Sequence, residues 1–481
     1  MIPFRPARAV QCALSAAVAV LLVGVLAGLR PVMAQPSSDT LTISIHDAIR
    51  AALSVSPEVA TEQAGVDFAK ARHNLAKSSR ILTNFEATSA HSATPGLDNP
   101  NNTPTDRLYL DPDVRNDWEN LNLFNRLEVE ALQPIWTWGE LGGNIRAARA
   151  GIDVERAVRE QKELEVASRT AELYWSLLLT EELFRLTGEA GDVVAQAKNE
   201  IDRLLQEGAE DVDMADLYQV QITEQEFMQR VVEAREARRT ARSALRRQLF
   251  LPDNQTVAVA EVQLKPISAP VEPLEAYQQR ALDNRPELAR ARAGERATDA
   301  LVDVARSDFF PKLFFGVTAR YGYAADRHRQ RNPFVGDPFL TQSVETGLGL
   351  RLKLNAAQTR SRVQQAQARH DEVRYQHDAA RQLVLFEVEK AWRDVLIARQ
   401  AVTSREEALK ISRQWLLDEQ INFDLDLGDT ENLVKAVRDN LTLRAQRHEA
   451  VFNYNMTVLR LYEKTGTLLE LVESGTLLDA E

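Results

Sequence analysis

Apolar and polar positions alternate with period two in two runs of the second half of the chain. In the first, Leu313, Phe315, Val317, Ala319, Tyr321 and Tyr323 interleave with Phe314, Gly316, Thr318, Arg320 and Gly322. In the second, Val344, Thr346, Leu348, Leu350, Leu352 and Leu354 interleave with Glu345, Gly347, Gly349, Arg351 and Lys353. Each run is about eleven residues, the length of a tilted strand crossing a bilayer, with apolar side chains toward lipid and polar or glycine positions toward a lumen. Leu313, Phe315, Val317, Tyr321, Leu348, Leu350 and Leu352 are the candidate lipid-facing residues. Period two by itself says only that one face is covered, so a soluble amphipathic hairpin would leave the same signature. Weaker counterparts lie near Ile81 to Ser89 and Leu121 to Gln133. Between paired strands, the stretches from Thr94 to Pro100 onward and from Ala325 to Pro338 are rich in Pro, Asn and Asp and read as exposed loops.

Elsewhere the apolar positions step by four and three. Val384, Val388, Ala391, Val395, Ala398 and Val402 form one such seam, and Ala190, Val194, Ala197, Ile201 and Leu204 another, the heptad spacing of packed long helices. Proline is absent from Leu141 to Gln206. At 1.5 Å per residue, a helix over that stretch would run about 100 Å, too long for a compact globule.

These elements occur twice. Ala52-Leu53-Ser54-Val55-Ser56-Pro57-Glu58 aligns with Ala281-Leu282-Asp283-Asn284-Arg285-Pro286-Glu287 at an offset of 229, which also pairs Ala76 with Ala305, Ser78 with Ser307 and Phe85 with Phe314. The expected organisation is a leader over 1–34, a first repeat over 35–250, a linker over 251–272, a second repeat over 273–467 and a tail over 468–481. The first repeat would hold a hairpin at about 81–133 and helices at about 141–206 and 212–249. The second would hold a hairpin at about 309–355 and helices at about 357–426 and 430–465. The fold class is therefore mainly α with a membrane β-barrel portion. Four strands cannot close a barrel, and open sheet edges are not tolerated in hydrocarbon, so the chain must oligomerise; three copies would supply twelve strands.

Composition narrows the class. Low Gly (20) and Pro (18) with 27% charged residues suit long helices, and a mean hydropathy of −0.32 excludes a polytopic helical membrane protein. Arg5 and Arg8, an apolar stretch from about Ala9 to Leu29, and Pro31-Val32-Met33-Ala34 have the order of a secretory signal peptide cut after Ala34, the alternative being an uncleaved anchor helix, since the apolar stretch approaches spanning length. The single cysteine, Cys12, falls inside it, so the exported chain has neither disulfides nor thiol ligands. The formal charge of −12 becomes −15 once Arg5, Arg8 and Arg30 are removed, which argues against nucleic acid as a partner.

Candidate chemistry is sparse. Of seven histidines only His370 and His377 share a helical face, too far apart along the axis to chelate one ion, and they read as solvated or lumen-facing. Gly347-Leu348-Gly349 is strand alternation, with no helix at the spacing a phosphate loop needs. No Ser/His/Asp set or paired carboxylates stand out, so no enzyme, cofactor or metal is expected.

The chain resembles the TolC-type outer-membrane efflux proteins, the exit ducts of tripartite pumps and type I secretion systems. The resemblance runs from Leu41-Thr42-Ile43-Ser44-Ile45-His46-Asp47-Ala48-Ile49 to Leu461-Tyr462-Glu463-Lys464-Thr465-Gly466, and rests on the two Ala-Leu…Pro-Glu segments, Gln133-Pro134-Ile135-Trp136 with Gly139, and Ser307 with Pro311. It implies a homotrimer with a twelve-stranded barrel among outer-membrane lipids and a coiled-coil α-barrel through the periplasm. It also implies a periplasmic adaptor and an inner-membrane transporter as partners. Lys353 stands at the counterpart of Pro134, and Asn355-Ala356-Ala357 replaces the family's usual aromatic and glycine residues, so the second strand-to-helix elbow should differ. Where the family often places paired aspartates to narrow the periplasmic entrance, this chain has Asn432 and Lys435. Asp424, Asp426, Asp429 and Glu431 become the gate candidates, and Glu207, Gly208, Asp213, Leu427 and Gly428 the candidate adaptor contacts. The competing reading is a periplasmic coiled-coil adaptor or other interaction protein of an export system. The cargo is not encoded in the shape of such a duct, because selection lies mostly in the transporter behind it.

Overall fold

A computed structural model describes residues 40–102, 113, 115–207, 213–268, 271–325, 327, 336–425 and 430–475. The leader and the end of the tail lie outside these residues, as do Gly208, Asp426, Leu427, Gly428 and Asp429.

The first repeat opens with β1 (Thr40–Ile43), α1 (Ile45–Val55) and α2 (Pro57–Ser78). The hairpin β2 (Asn84–Asp98) and β3 (Arg115–Trp136) follows, then the long α3 (Glu140–Glu207) and its return α4 (Met214–Gln248). After β4 (Thr256–Val259) the second repeat gives α5 (Leu274–Asn284), α6 (Pro286–Ser307), β5 (Lys312–Ala324), β6 (Gln342–Arg351), the long α7 (Ala356–Asp424), α8 (Thr430–Thr465) and the short α9 (Leu468–Ser474). Both short helices of the second repeat begin and end 229 positions after those of the first. The cause is local: Pro57 and Pro286 each sit in the first turn of a new helix, where a missing N–H costs nothing. Ahead of Pro57, the Ser56 hydroxyl accepts a hydrogen bond from the Val59 amide at 3.4 Å.

The four long strands make one antiparallel sheet in the order β2-β3-β5-β6. Tyr321 stands opposite Leu127 on one side and Gln342 on the other, which aligns both hairpins in one register. A second, two-stranded sheet pairs β1 with β4 in parallel, tying the start of the described chain to the linker between repeats. The Tyr174 hydroxyl donates to the Ile43 carbonyl at 2.9 Å and pins this sheet to α3. The main core lies at this level, where Tyr174, Trp175, Leu177, Leu245, Val257, Ile45 and Leu459 are fully buried. Val384, Val388, Ala391, Val395, Ala398 and Val402 of α7 belong to the same core, all buried as their spacing required. Away from it the helices pack through small seams such as Ile201 against Val220.

The first hairpin departs from its expected limits. Thr94 to Asp98, read as loop, continue β2, and Thr94, Pro95 and Gly96 are buried. Proline is tolerated there because β2 lies at the edge of the chain's own sheet and the register shifts between Pro95 and Gly96.

Candidate functional site

The register sorts the sheet into two faces. Leu313, Phe315, Val317, Ala319, Tyr321 and Tyr323 align with Leu350, Leu348, Thr346 and Val344 of β6 and with Ala131, Val129 and Leu127 of β3 on one face. Leu348 and Leu350 are each 70% exposed in the single chain, so this apolar surface has no cover of its own. On the opposite face Arg320 joins three strands, its Nε 2.8 Å from Glu128 and its Nη1 3.0 Å from Glu345, while Arg126 reaches Glu128 at 3.2 Å. Solvated pairs of this kind contribute little to stability; their effect is to make this face hydrophilic. Glycines thin the same face, and the Phe314 ring fills the space above Gly349, where a Cβ would lie 2.4 Å from it.

Where the strands meet the long helices, aromatic side chains gather on the apolar side. Trp138 stacks on Phe310 at 4.9 Å and meets Trp136 edge-on at 6.0 Å, and its indole N–H donates to the Pro311 carbonyl at 2.9 Å. Trp136 pairs with Leu313 and so shares the apolar face. All three rings are about half exposed, at 58% for Trp136, 47% for Trp138 and 45% for Phe310. The Trp136 motif was visible in the sequence, but the cluster was not, because Phe310 is supplied by the other repeat.

The two elbows differ, as the substitutions at Lys353 and Asn355 suggested. The first turns through Trp138 (φ 52°) and Gly139 (φ 96°). The second has no left-handed residue and is held by charge: Asp308 lies 2.9 Å from Lys353, 3.0 Å from Lys312 and 3.5 Å from Arg362. Burial by itself would raise the Asp308 carboxyl; hydrogen bonds from Lys353 and Lys312 outweigh it and hold the group below its ordinary value.

At the far end of the helices, α3 finishes at Glu207, whose carboxylate pairs with Arg203 at 2.8 Å. Asp213 precedes α4 and accepts from the Ala215 amide at 2.6 Å, an N-cap. Glu431 is exposed in the first turn of α8, where the helix dipole favours an anion. Helix chemistry thus accounts for the placement of Asp213 and Glu431. The helical turn of Asp424 closes α7. His370 and His377 do not stand free in solvent or a lumen: both are half-buried, with Nδ1 3.2 Å from the Thr298 hydroxyl and 2.9 Å from Glu295, respectively. Sequence spacing missed this because the partners lie on α6, the neighbouring helix.

Among the described residues no group of His, Cys, Asp and Glu is arranged to hold a metal ion, and no helix is long and apolar enough to cross a membrane.

Residues 277–453 match the family model of outer membrane efflux proteins. No curated protein matches the chain in sequence. Among solved structures, the chain is similar to the CmeC outer membrane channel of Campylobacter jejuni, with a TM-score of 0.70 at 16% identity over 90% of either chain. It is also similar to the open MtrE outer membrane channel of Neisseria gonorrhoeae (TM-score 0.70, 14% identity, 88% of this chain and 89% of that one). The outer membrane protein VceC of Vibrio cholerae gives a TM-score of 0.68 at 16% identity, over 88% of this chain and 96% of that one. At such identities the likeness is one of fold.

Proposed function

We propose that the whole chain is one third of a trimeric outer-membrane exit duct, because residues 277–453 match the family model of outer membrane efflux proteins and the first half repeats the elements of that segment. The observation that carries this reading is the four-stranded sheet, apolar on one face, hydrophilic on the other and open along β2 and β6. Joined edge to edge, three such sheets leave no unpaired strand in the hydrocarbon and enclose the face bearing Arg320, Glu128 and Glu345 as a lumen. The long helices continue that lumen through the periplasm. Their exposed apolar positions, among them Tyr375, Phe386 and Ile397 of α7, would seal against the next copy. The duct conducts passively from a periplasmic adaptor and an inner-membrane transporter, which supplies the energy, and it performs no covalent chemistry. A periplasmic adaptor would have no use for a bare apolar sheet face backed by an aromatic cluster, which in a membrane barrel marks the interfacial level.

Orientation provides the experiment. With the leader removed the chain has no cysteine, so single cysteines report their own exposure. An impermeant maleimide applied to intact cells should label a cysteine at Asn102, between β2 and β3, and leave one at Glu207 unlabelled until the outer membrane is permeabilised. Labelling of Glu207→Cys and protection of Asn102→Cys would overturn the reading.

A further inference from the structure

At the outer end of the sheet, the lumen face is covered. Thr94, Phe124 and Ala324 on that face are 0%, 9% and 1% exposed, whereas Leu123 and Tyr323, at the same level on the lipid face, are 62% and 49% exposed. Further down the lumen face, Glu86, Thr88 and Ala90 are open to solvent. The cover is the segment from Asp337 to Thr341. The Phe339 ring meets Phe124 edge-on at 5.5 Å, and a Cβ on Gly322 would touch the Thr341 amide and the Phe339 carbonyl at 3.3 and 3.5 Å. A larger residue than glycine at position 322 would push the segment away.

One side chain holds the segment in place. Arg327 pairs with Asp337 through Nε at 2.7 Å, the two side chains being 5% and 8% exposed. The same guanidinium donates to the carbonyls of Pro95 at 2.7 Å and Gly96 at 3.2 Å, and to the Asn116 side chain at 3.0 Å. Its plane also lies 4.8 Å from the centre of the Phe339 ring. A charge pair removed from water survives only when its remaining donors are satisfied, and here they are satisfied by the tip of the first hairpin. Asp337 Oδ1 accepts from the Phe339 amide at 3.0 Å, fixing the turn that aims the ring.

From this arrangement we infer that Arg327 locks the Asp337 to Thr341 segment inside the mouth of the barrel and that Phe339 sets the exit aperture. This rests on the exit-duct reading, since only a closed barrel turns one inward segment per chain into a ring of three at a single level. Such a ring is a size filter placed after the periplasmic entrance: it limits large solutes in both directions and adds resistance to the passage of small ions. The lock is electrostatically neutral, so it narrows the mouth without adding charge to it.

The test is single-channel recording of the full-length oligomer in planar bilayers, with Phe339→Ala and Arg327→Gln beside the wild type. Phe339→Ala removes the ring and keeps the Arg327–Asp337 pair, so it remains informative if Arg327→Gln folds poorly. The expected result is a conductance roughly two-fold higher for Phe339→Ala, because a constriction at the mouth acts as a resistance in series with the rest of the duct, together with admission of larger polyethylene glycols as blockers from the outer side. Folded Phe339→Ala with wild-type conductance and the wild-type polymer cutoff would overturn the aperture. A wild-type protein that forms no pore would overturn the exit-duct reading itself, a result distinguishable from the first.

Discussion

Arginine in place of Val129 is expected to abolish recovery of the protein from the outer membrane as a folded oligomer. Val129 lies in the middle of the sheet on the apolar face, opposite Ala87 of β2 and Ala319 of β5. A cation on the lipid face at mid-bilayer costs about 2–4 kcal/mol, and three-fold symmetry imposes the cost three times, on the order of 6–12 kcal/mol per trimer. That is comparable with the entire stability of an ordinary domain. Leu350 shares the face but sits opposite Leu313, one residue from the end of β6 and close to the aromatic cluster. Near the interface the same substitution costs about 0–1 kcal/mol, so Leu350→Arg should be recovered in good yield. Thr88→Arg, opposite Glu128 on the lumen face, should also assemble. The measurement is the heat-modifiable oligomer recovered from outer-membrane fractions of the three variants. Equal recovery of Val129→Arg and Leu350→Arg would mean that lipid does not lie against this face.

Gly466→Ala is the second large effect. Gly466 ends α8 with φ 75°, and the Thr467 amide returns to the Tyr462 carbonyl at 3.0 Å while the Gly466 amide reaches Glu463 at 3.0 Å, a Schellman turn. A Cβ there would lie 2.7 Å from the Asn284 carbonyl oxygen and 3.2 Å from the Arg285 amide, both backbone atoms of the turn between α5 and α6. That turn cannot yield cheaply, because the Arg285 side chain is 7% exposed and bonded to Glu387 at 2.9 Å and Glu287 at 2.8 Å. Left-handed backbone costs an L-residue about 1–2 kcal/mol, and the forced shift adds about 1–3 kcal/mol. Gly475 provides the control: its φ is 74°, but among the described residues nothing lies within 4 Å of its Cβ position. Gly475→Ala should therefore incur only the conformational term. Denaturant titration of the detergent-solubilised protein should separate the two variants clearly; equal midpoints would show that the α8 end does not press on the α5–α6 turn.

The parts of the fold legible in the sequence are those written in local periodicity. The heptad seam of α7 and the alternation of β5 and β6 are each visible within a few turns or residues, and the two copies reinforce one another. What escaped depends on partners far away in the chain. Thr94-Pro95-Gly96 has the composition of a turn, yet it forms strand because β3 offers it a partner and the edge tolerates proline. Arg327 stands in a polar loop like any solvated arginine; its burial comes from carbonyls at Pro95 and Gly96 more than two hundred positions earlier. The charged elbow was foreseeable only as a departure. Lys353 announced that the turn would not copy the first one, but the Asp308 carboxylate that receives it belongs to the end of α6.

The central claim is that one chain supplies a third of a closed wall, and native mass measurement of the detergent-solubilised protein tests it most directly. Each chain has a mass of 54.0 kDa, so three copies give about 162 kDa with the leaders and somewhat less once they are removed. A single species at three copies, stable at the concentrations that give pores, is the predicted result. A monomer that conducts, or a stable assembly with another number of copies, would contradict it.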